Sequence, residues 1–420
     1  LKGNNGVYAI DGNITTIDAN AFAEQLSLTK VEIPASVMTI GEGAFKGSSN
    51  LVEVAFEHGN GVTSQLVSIG ASAFANCTAL TTINLPANST FTVLETLVFS
   101  GCTSLTSITL PEGLLTIEQL ALSNTGITDL TIPSTVKTLG DYNKYATSLS
   151  GVYSSLEHGI LFSKESSGNF TAKLQKLTIL GNPESIGIGA FAYCRSLTEV
   201  HLSKNLTTIG IGMFAGCQNL STIKTVDEAG NIKGENGKAI LPDGLIEIGN
   251  FAFSGAGIRE ITIPESVEKI GENKMGTSST GESPFNHPSD YSGDYSSYSF
   301  YMNYPSALEK VTILTSKATY SNSTFLSCSA LTTVVLNKNM TAIPAGMFNR
   351  TDSLRTIQEI DSVTGVVSGK EGEITIPSGV KTIGKDVFEK SGIERIVFGE
   401  NIETIETGTF GIFYHADNLK

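Results

Sequence analysis

The chain repeats a short segment in which apolar and polar residues alternate, as in LTTINL, LTSITL and LTEVHL. In LTSITL the apolar set is Leu105, Ile108 and Leu110, and Ser107 and Thr109 lie between them. Alternation over four to eight residues is typical of a β-strand with one buried face and one face in water. The pattern therefore predicts many short strands whose apolar side chains point into a common interior.

Each alternating segment is followed by a fixed order of turn signals. A proline ends strand pairing because it has no N–H to donate. A second short piece such as SVMTIG then ends in a glycine, which suits a corner that requires positive φ. An AFxxC segment closes the unit, and it predicts a single helical turn that packs an aromatic and a small side chain inside. The prolines are Pro34, Pro86, Pro111, Pro133, Pro264 and Pro377, and the glycines are Gly41, Gly70, Gly140, Gly249, Gly271 and Gly384.

The whole unit recurs with a minimal period of 23 residues, which is clearest over residues 186–223. There Phe191 returns as Phe214 and Cys194 returns as Cys217. A fixed period with insertions predicts a solenoid, because one coil cannot bury its apolar side alone. The aromatic anchors are Phe22, Phe45, Phe74, Phe99, Phe191, Phe214, Phe253, Phe325, Phe348, Phe388 and Phe410, with weaker copies near Leu122, Tyr145 and Met275. We therefore expect about fourteen coils, stacked about 4.8 Å apart.

The consensus LTxIxLPxxVxxIGxxAFxxCxx resembles the BspA-like (Treponema pallidum-type) leucine-rich repeat. It can be followed through residues 80–122, 186–223, 246–274 and 374–413. The resemblance implies a mainly β, right-handed leucine-rich-repeat solenoid with short parallel strands on one face. It also implies a bacterial protein that is secreted or attached to the cell surface and acts in adhesion or protein binding. The family has no shared catalytic residues to carry over.

The domain organisation follows from the repeat. A single core stops growing well before 420 residues, but a repeat array escapes that limit. We therefore expect one solenoid domain over residues 1–420. Insertions interrupt it at 57–66, 141–176, 224–240, 272–309 and 358–373, and those at 224–240 and 358–373 are predicted to be hairpins with Gly-rich tips. Residues 141–173 are open to interpretation as a degenerate coil plus a hairpin, or as a bend.

Charge narrows the choice of partner and location. The 27 basic and 41 acidic residues give a net charge of −14, which repels phosphate backbones and anionic lipid surfaces. Nucleic acid is therefore not an expected partner. No apolar run approaches the roughly 18 residues of a transmembrane segment. Because the chain begins at Leu1 without a signal or anchor segment, we expect that an export segment was removed, although an artificial boundary explains Leu1 equally well.

All five cysteines occupy the same slot, three residues after the aromatic anchor. They are Cys77, Cys102, Cys194, Cys217 and Cys328. Other units hold small residues such as Ser48 or Ala256 in this slot, which is typical of a packing position rather than a metal or catalytic one. The side chains of stacked copies run parallel instead of converging, so we expect free buried thiols.

Insertions in a solenoid are where binding is concentrated. Five tyrosines lie inside the insertion at 272–309: Tyr291, Tyr295, Tyr298, Tyr301 and Tyr304. With serine, glycine, Asp290 and Asp294 around them, they have the composition of a recognition loop for a protein segment or a sugar ring. A loop that merely covers a gap between coils would have the same composition. Calcium is disfavoured at Asp290 and Asp294, because two carboxylates fall short of the six or more oxygens it needs.

The outward positions of the strands form a second candidate surface. This column is predicted to contain Glu32, Asn84, Thr109, Thr131, Thr178, His201, Thr262, Thr312 and Thr375. A threonine ladder could dock a partner, but β-branched residues are favoured on exposed strand positions in any case. The column by itself does not distinguish a binding face from an ordinary solvated sheet.

Two functions from different classes remain open at this point. The first is a non-catalytic binding or adhesion module for a host or matrix protein or a glycan. The second is a structural spacer that presents another domain. A glycan-active enzyme ranks third, because no pair stands out among the 41 acidic residues. We expect no cofactor, no metal and a monomer.

Overall fold

The computed structural model describes residues 2–4, 6–57, 62–87, 90–140, 157–164, 170–271, 306–320, 324–408 and 411–420. These residues form strands and turns, and no helix occurs among them. Accordingly, the described part of the chain has no helix that is long and apolar enough to cross a membrane. The chain divides into two compact units: unit 1 is Leu1–Lys144 with Ser154–Thr198, and unit 2 is Tyr145–Tyr153 with Glu199–Lys420.

The strands of unit 1 are two to four residues long. They are β1 (Lys2–Asn4), β2 (Val7–Ala9), β3 (Thr16–Ile17), β4 (Lys30–Ile33), β5 (Thr39–Ile40), β6 (Glu53–Phe56), β7 (Ser68–Ile69), β8 (Thr82–Ile83), β9 (Val93–Leu94), β10 (Thr116–Ile117), β11 (Asp129–Ile132), β12 (Thr138–Leu139), β13 (Lys176–Ile179) and β14 (Ser185–Ile186).

The strands of unit 2 are two to five residues long. They are β15 (Glu199–Ser203), β16 (Thr208–Ile209), β17 (Thr222–Val226), β18 (Ile232–Lys233), β19 (Lys238–Ile240), β20 (Glu247–Ile248), β21 (Glu260–Ile263), β22 (Lys269–Ile270), β23 (Lys310–Ile313), β24 (Thr319–Tyr320), β25 (Thr333–Asn337), β26 (Ala342–Ile343), β27 (Thr356–Ile360), β28 (Val367–Ser368), β29 (Ile374–Thr375), β30 (Thr382–Ile383), β31 (Ile396–Val397) and β32 (Thr404–Ile405).

The longer strands pair in parallel from one coil to the next. In unit 1 the parallel order is β2-β4-β6-β8, with β1 added to β2 as an antiparallel edge strand and with β11 paired to β13. In unit 2 it is β15-β17-β19-β21-β23-β25-β27-β29-β31. The register places like residues side by side, with Val31 on Val54 and Ile261 on Val311. Residues 106–110 keep Ile108 and Leu110 buried without being assigned to a strand. Residues that are one repeat apart in the sequence thus lie next to each other in adjacent coils.

A second set of two-residue strands marks every coil. In unit 1 these pair as β3-β5-β7 and β9-β10-β12-β14, and in unit 2 as β16-β20-β22-β24 and β26-β30-β32. Their apolar residue points inward, as where Ile40 stacks on Ile69 and both are buried. Among the described residues this gives fourteen such strands, which agrees with the predicted number of coils.

The AFxxC segments are tight turns instead of the expected single helical turns. Phe45 N donates to Ala73 O of the next coil at 2.7 Å, whereas Lys46 N donates to Gly43 O within its own coil at 2.9 Å. Alternate N–H groups thus serve the neighbouring coil, and a helix would keep all of them inside its own segment. Gly43 and Gly47 have φ of 61° and 74°, so the hand of the backbone alternates and a helix cannot propagate.

The aromatic anchors form stacked columns inside each unit. In unit 1 the ring centroids are 5.1 Å apart for Phe22–Phe45, 5.1 Å for Phe45–Phe74 and 5.6 Å for Phe74–Phe99. In unit 2 they are 5.9 Å apart for Phe214–Phe253, 5.9 Å for Phe325–Phe348, 6.0 Å for Phe348–Phe388 and 6.0 Å for Phe388–Phe413. Phe413 ends the second column, whereas the predicted anchor Phe410 lies outside the described residues. Phe191 is fully buried in unit 1 as well.

Residues 157–164, which follow β12 along the chain, belong to one coil of unit 1. Strand β12 pairs directly with β14, and β11 pairs with β13, so these coils are neighbours. Leu122 N donates to Ile160 O at 3.0 Å, and Ile160 N donates to Ala190 O at 2.9 Å. Residues 157–164 therefore supply the turn of this coil, and the weaker anchor predicted at Tyr145 lies outside the described residues.

The five cysteines are free and buried, as predicted from their shared slot. Cys77 Sγ donates to Phe45 O and Cys102 Sγ donates to Phe74 O, both at 3.1 Å. Each of these two thiols thus contacts the anchor of the preceding coil. Burial raises the pKa of Cys77, Cys194 and Cys328 to about 12 and also raises the pKa of Cys102, so these thiols are kept from the reactive thiolate form.

Replacing a column phenylalanine should strongly destabilise the fold. For Phe74→Ala we expect a loss of about 3–5 kcal/mol in the free energy of unfolding, because a fully buried ring leaves a cavity between two others. Urea titration followed by circular dichroism measures it. The matched control is Phe398→Ala, which removes a partly exposed ring and should cost less than about 1 kcal/mol. Equal losses in the two variants would refute the stacked core.

The thiols should not react with a disulfide reagent in the native protein. We expect a disulfide reagent at about pH 8 to label none of the five until denaturant is added, because thiolates form with difficulty in the interior. Since the folded pKa is raised above the value of about 8.5 in an unfolded chain, the contribution of these thiols to stability is full below that pH. It is lost as pH rises towards about 12. Rapid labelling of a native thiol would contradict this placement.

Candidate functional site

The insertion at 224–240 forms an antiparallel hairpin on β17, as predicted. We call residues 225–237 hairpin 1. Thr225 pairs with Lys233 and Val226 pairs with Ile232. The turn between them is held by Asp227, whose Oδ1 accepts the N–H groups of Ala229 at 3.0 Å and Asn231 at 2.8 Å. The short side chain of an aspartate can accept a hydrogen bond from the main-chain N–H two residues later, and this interaction favours a turn.

A second turn returns hairpin 1 to the sheet. It runs from Glu235 to Lys238, with Lys238 N donating to Glu235 O at 3.4 Å. Gly237 has φ of 79°, and its N–H donates to Thr222 Oγ1 at 2.9 Å. Thr222 is buried on β17. Its hydroxyl therefore ties the exposed turn to the framework, and we call this contact the threonine anchor of hairpin 1.

The insertion at 358–373 builds the same arrangement on β27. We call residues 359–372 hairpin 2, in which Glu359 pairs with Ser368 and Ile360 pairs with Val367. Asp361 Oδ1 accepts the N–H of Val363 at 3.0 Å. The threonine anchor is reproduced, since Gly372 has φ of 77° and donates to Thr356 Oγ1 at 3.0 Å.

The two hairpins belong to two related stretches of sequence. LTEVHLSKNLTTIG, which begins at Leu197, corresponds to LTTVVLNKNMTAIP, which begins at Leu331. The hairpin strands that follow, TIKTVD and TIQEID, correspond as well. Threonine, aspartate and glycine keep their places, whereas the residues of the outer face change. One framework thus carries two differently surfaced hairpins.

The predicted exposure of His201 is wrong. His201 is only 2% exposed, and β15 is covered on both faces. Its Nε2 contacts Glu199 Oε1, which also accepts a hydrogen bond from Lys224 Nζ at 3.1 Å. Hairpin 1 lies against this cluster, since a Cβ added to Gly234 would be 2.7 Å from Lys224 Cγ. An inserted hairpin thus lies against the outward residue Lys224, which a single-coil pattern does not predict.

Electrostatics hold the carboxylate of that cluster ionised. Burial pushes the pKa of Glu199 upwards, but hydrogen bonds from His201 and Lys224 outweigh it and leave the pKa lowered. The equivalent place in the second copy is uncharged, with Val335 buried and Gln358 Nε2 donating to Gly369 O at 3.1 Å. Hairpin 1 therefore rests on a charged cluster and hairpin 2 rests on a neutral one.

Hairpin 2 ends in an apolar tip. Val363, Val366 and Val367 are 88%, 62% and 45% exposed, and we call these three the valine tip. Lys338 Nζ donates to Asp361 Oδ2 at 2.6 Å beside it, and Ser362 Oγ lies 3.4 Å from Glu265 Oε1. The valine tip is thus a small apolar cluster with acidic side chains next to it. Sequence reasoning missed it, although three valines around a Gly-containing turn were a visible signal.

The other predicted outward residues behave as expected. Glu32, Asn84, Thr109 and Thr131 are exposed, and Thr178, Thr262, Thr312 and Thr375 are half-buried. The tyrosine segment lies outside the described residues: Tyr291, Tyr295, Tyr298, Tyr301, Tyr304, Asp290 and Asp294 fall between β22 and β23. The threonine column is therefore present on the strand face, and the tyrosine segment stays a prediction from sequence.

Metal-ligating side chains are not clustered in the described ranges. No group of three or more His, Cys, Asp or Glu residues there could hold a metal ion. One cleft, of about 390 Å³, is lined by Asp352, Lys390, Ser391, Gly392, His415, Asp417 and Asn418. Ser391 Oγ donates to Phe388 O at 2.8 Å, and His415 Nδ1 lies 3.8 Å from Asp417 Oδ1. The hydroxyl is engaged with its own main chain, so this cleft provides no activated nucleophile.

The turn of hairpin 2 should loosen in acid. Hydrogen bonds from Lys338 and from the N–H groups of Thr364 and Val363 lower the pKa of Asp361 to about 2. Because this pKa is lowered on folding, the Asp361 carboxylate stabilises the folded hairpin fully above the unfolded pKa of about 3.9. That stabilisation is lost as the pH falls towards about 2. When the chemical shift of the Val363 amide is followed by NMR against pH, its titration midpoint should lie at about pH 2. Lys338→Met should raise that midpoint, and Lys204→Met, the matched change beside hairpin 1, should not. An unchanged midpoint in Lys338→Met would contradict this reading.

Residues 15–149, 165–236, 247–370 and 368–420 match the BspA type leucine-rich repeat region, in six copies. The search of curated proteins found no match.

Several solved structures are similar. A leucine-rich repeat protein from Bacteroides ovatus is 23% identical, with a TM-score of 0.52, over 99% of this chain and 85% of that one. A leucine-rich cell surface protein from Faecalibacterium prausnitzii is 18% identical, with a TM-score of 0.30, over 88% and 92% of the two chains. The Treponema pallidum leucine-rich repeat protein is 20% identical, with a TM-score of 0.27, over 60% and 77%. The Bacteroides ovatus structure supports the solenoid fold, and the family match covers most of the sequence. The chain belongs to the BspA-type leucine-rich repeat family.

Proposed function

We propose that this protein is an exported bacterial binding module that acts without catalysis and recognises another protein through the valine tip of hairpin 2. The observation that carries the proposal is an exposed apolar cluster built on an anchored hairpin. Single exposed apolar residues are ordinary, but a cluster of them marks an interaction site. The aspartate turn and the threonine anchor hold the hairpin before binding, which lowers the entropy lost on association.

The chemistry of the tip favours a protein over a glycan. Sugar rings bind by stacking on the flat faces of aromatic side chains, whereas the tip presents three aliphatic side chains. Glu265 and Glu359 lie beside it, Asp361 is paired with Lys338, and the whole chain carries −14. The matching surface on a host or matrix protein would be an apolar pocket with a basic rim. An extracellular or cell-surface location is part of the same proposal and is supported by the family alone.

A structural spacer is the second candidate, and ion pairs between coils favour it. Lys137–Glu184 at 3.0 Å and Lys381–Glu403 at 2.8 Å join neighbouring coils on exposed positions. Such pairs add little stability singly, but they keep a long sheet surface polar and discourage association. A spacer needs these pairs and does not need the valine tip.

The test is an array of extracellular-matrix proteins and glycans probed with the intact chain. A triple variant, Val363→Thr, Val366→Thr and Val367→Thr, removes the apolar surface while keeping β-branched residues. The control, Met38→Thr, Val67→Thr and Leu115→Thr, changes three exposed apolar residues in unit 1. A third variant replaces residues 284–305 by a short Gly/Ser link.

We expect the triple variant of the valine tip to weaken binding by about 10- to 100-fold, since two or three valines leave water on binding. The control should bind normally. Loss of binding only on replacement of 284–305 would move the site to the tyrosine segment. Retention in every variant would move it elsewhere, and a folded protein that binds nothing on the array would favour the spacer.

A further inference from the structure

Hairpin 1 presents an Asn–Gly pair in its exposed second turn. Asn236 is exposed, and no atom lies within 4 Å of the place where a Cβ would sit on Gly237. Glu235 and Lys238 flank the pair and are joined by an ion pair of 2.6 Å. The two other Asn–Gly pairs of the sequence begin at Asn5 and Asn60, which lie outside the described residues. Solvent thus reaches this pair from several sides.

An Asn–Gly pair can rearrange without any enzyme, because glycine has no side chain to obstruct the reaction. The main-chain nitrogen of Gly237 loses its proton to water or hydroxide and forms a bond to Cγ of Asn236. Nδ2 then takes a proton from water as the Cγ–Nδ2 bond breaks, so that ammonia leaves and a closed imide ring remains. Water opens the ring at either carbonyl, giving aspartate or isoaspartate. No oxidant or reductant is required.

The threonine anchor controls the first step of this reaction. The attacking nitrogen is the one whose N–H donates to Thr222 Oγ1 at 2.9 Å. Thr222 is buried on β17, so the acceptor is fixed by the sheet. The nitrogen must give up this hydrogen bond before it can lose its proton. A hydrogen bond to the unreacted form therefore slows the rearrangement.

We propose that Asn236 is a site of spontaneous deamidation and that the Thr222 hydroxyl sets its rate. The equivalent turn of hairpin 2 lacks the reactive asparagine, so the lability depends on residue 236 itself. Hairpin 2 has the same turn and the same anchor, with Gly372 on Thr356, but Glu371 takes the place of Asn236. Its carboxylate is a poor electrophile and has no ammonia to release. Deamidation at this turn thus changes hairpin 1 and leaves hairpin 2 as it was.

The two products change hairpin 1 differently. Isoaspartate routes the main chain through the former side chain and adds one carbon to it, which moves the Gly237 nitrogen away from Thr222. Aspartate keeps the chain length but places a new negative charge beside Glu235, where both compete for Lys238. Hairpin 1 therefore loses its anchor with the first product and keeps it with the second.

The experiment follows residue 236 in the intact, folded chain in mildly alkaline buffer. Peptide mapping by mass spectrometry separates asparagine, aspartate and isoaspartate at this position. We expect slow first-order conversion in the native protein and faster conversion in the urea-unfolded chain. Thr222→Val should accelerate the native reaction by about 2- to 10-fold, the range set by one hydrogen bond. Thr222→Ser keeps a hydroxyl and should convert at nearly the native rate.

The second copy supplies the controls. Thr356→Val removes the equivalent anchor from hairpin 2 and should leave the rate at Asn236 unchanged, which separates a local effect from general destabilisation. Glu371→Asn should create a second labile turn, and adding Thr356→Val should accelerate it by a similar factor. The proposal fails if folded Thr222→Val converts at the native rate, or if Thr356→Val accelerates Asn236 as much as Thr222→Val does. Equal rates in the folded and unfolded chains would also overturn it.

Discussion

The parallel main-chain hydrogen bonds between successive coils are the constraint on which the remaining structure depends. They fix the register, so each residue lies beside its counterpart one coil away, as Val31 does beside Val54. Even the turn segments obey this rule, because alternate N–H groups such as that of Phe45 donate to the next coil. Apolar columns of phenylalanine and isoleucine form as a consequence, and buried cysteines fill the space beside them. A repeat array is stabilised mainly by such neighbour contacts.

The same constraint determines where variation is tolerated. An inserted hairpin can extend β17 or β27 because the outer ends of those strands stay paired with the preceding coil and leave only the parallel pairing with the following coil. Buried threonines, Thr222 and Thr356, then tie the returning turns to the sheet. The framework is held by the interior, and the outer face is free to change between copies. The same framework can therefore carry a charged surface, as at the Glu199 cluster, and an apolar surface, as at the valine tip.

Periodicity predicted the fold because it records contacts that every coil shares. The inward set, the number of coils, the free thiols and both hairpins followed from it. It did not predict the tight turns at Gly43 and Gly47, since a helical turn and a run of alternating turns bury the same residues. It placed His201 in water because a single-coil pattern omits hairpin 1, residues 225–237, which lies against Lys224 in the cluster that contains the buried His201. The valine tip occurs in one copy only, so no repeat pattern could have revealed it.

The solenoid interior holds two otherwise exposed hairpins in fixed positions. Residue-resolved amide hydrogen exchange on the intact chain tests it most directly. We expect the N–H groups of Gly237 and Gly372 to exchange slowly, although both lie in surface turns, because the hydroxyls of Thr222 and Thr356 accept their hydrogen bonds. Unprotected exchange at both glycines, with β17 and β27 still protected, would contradict it.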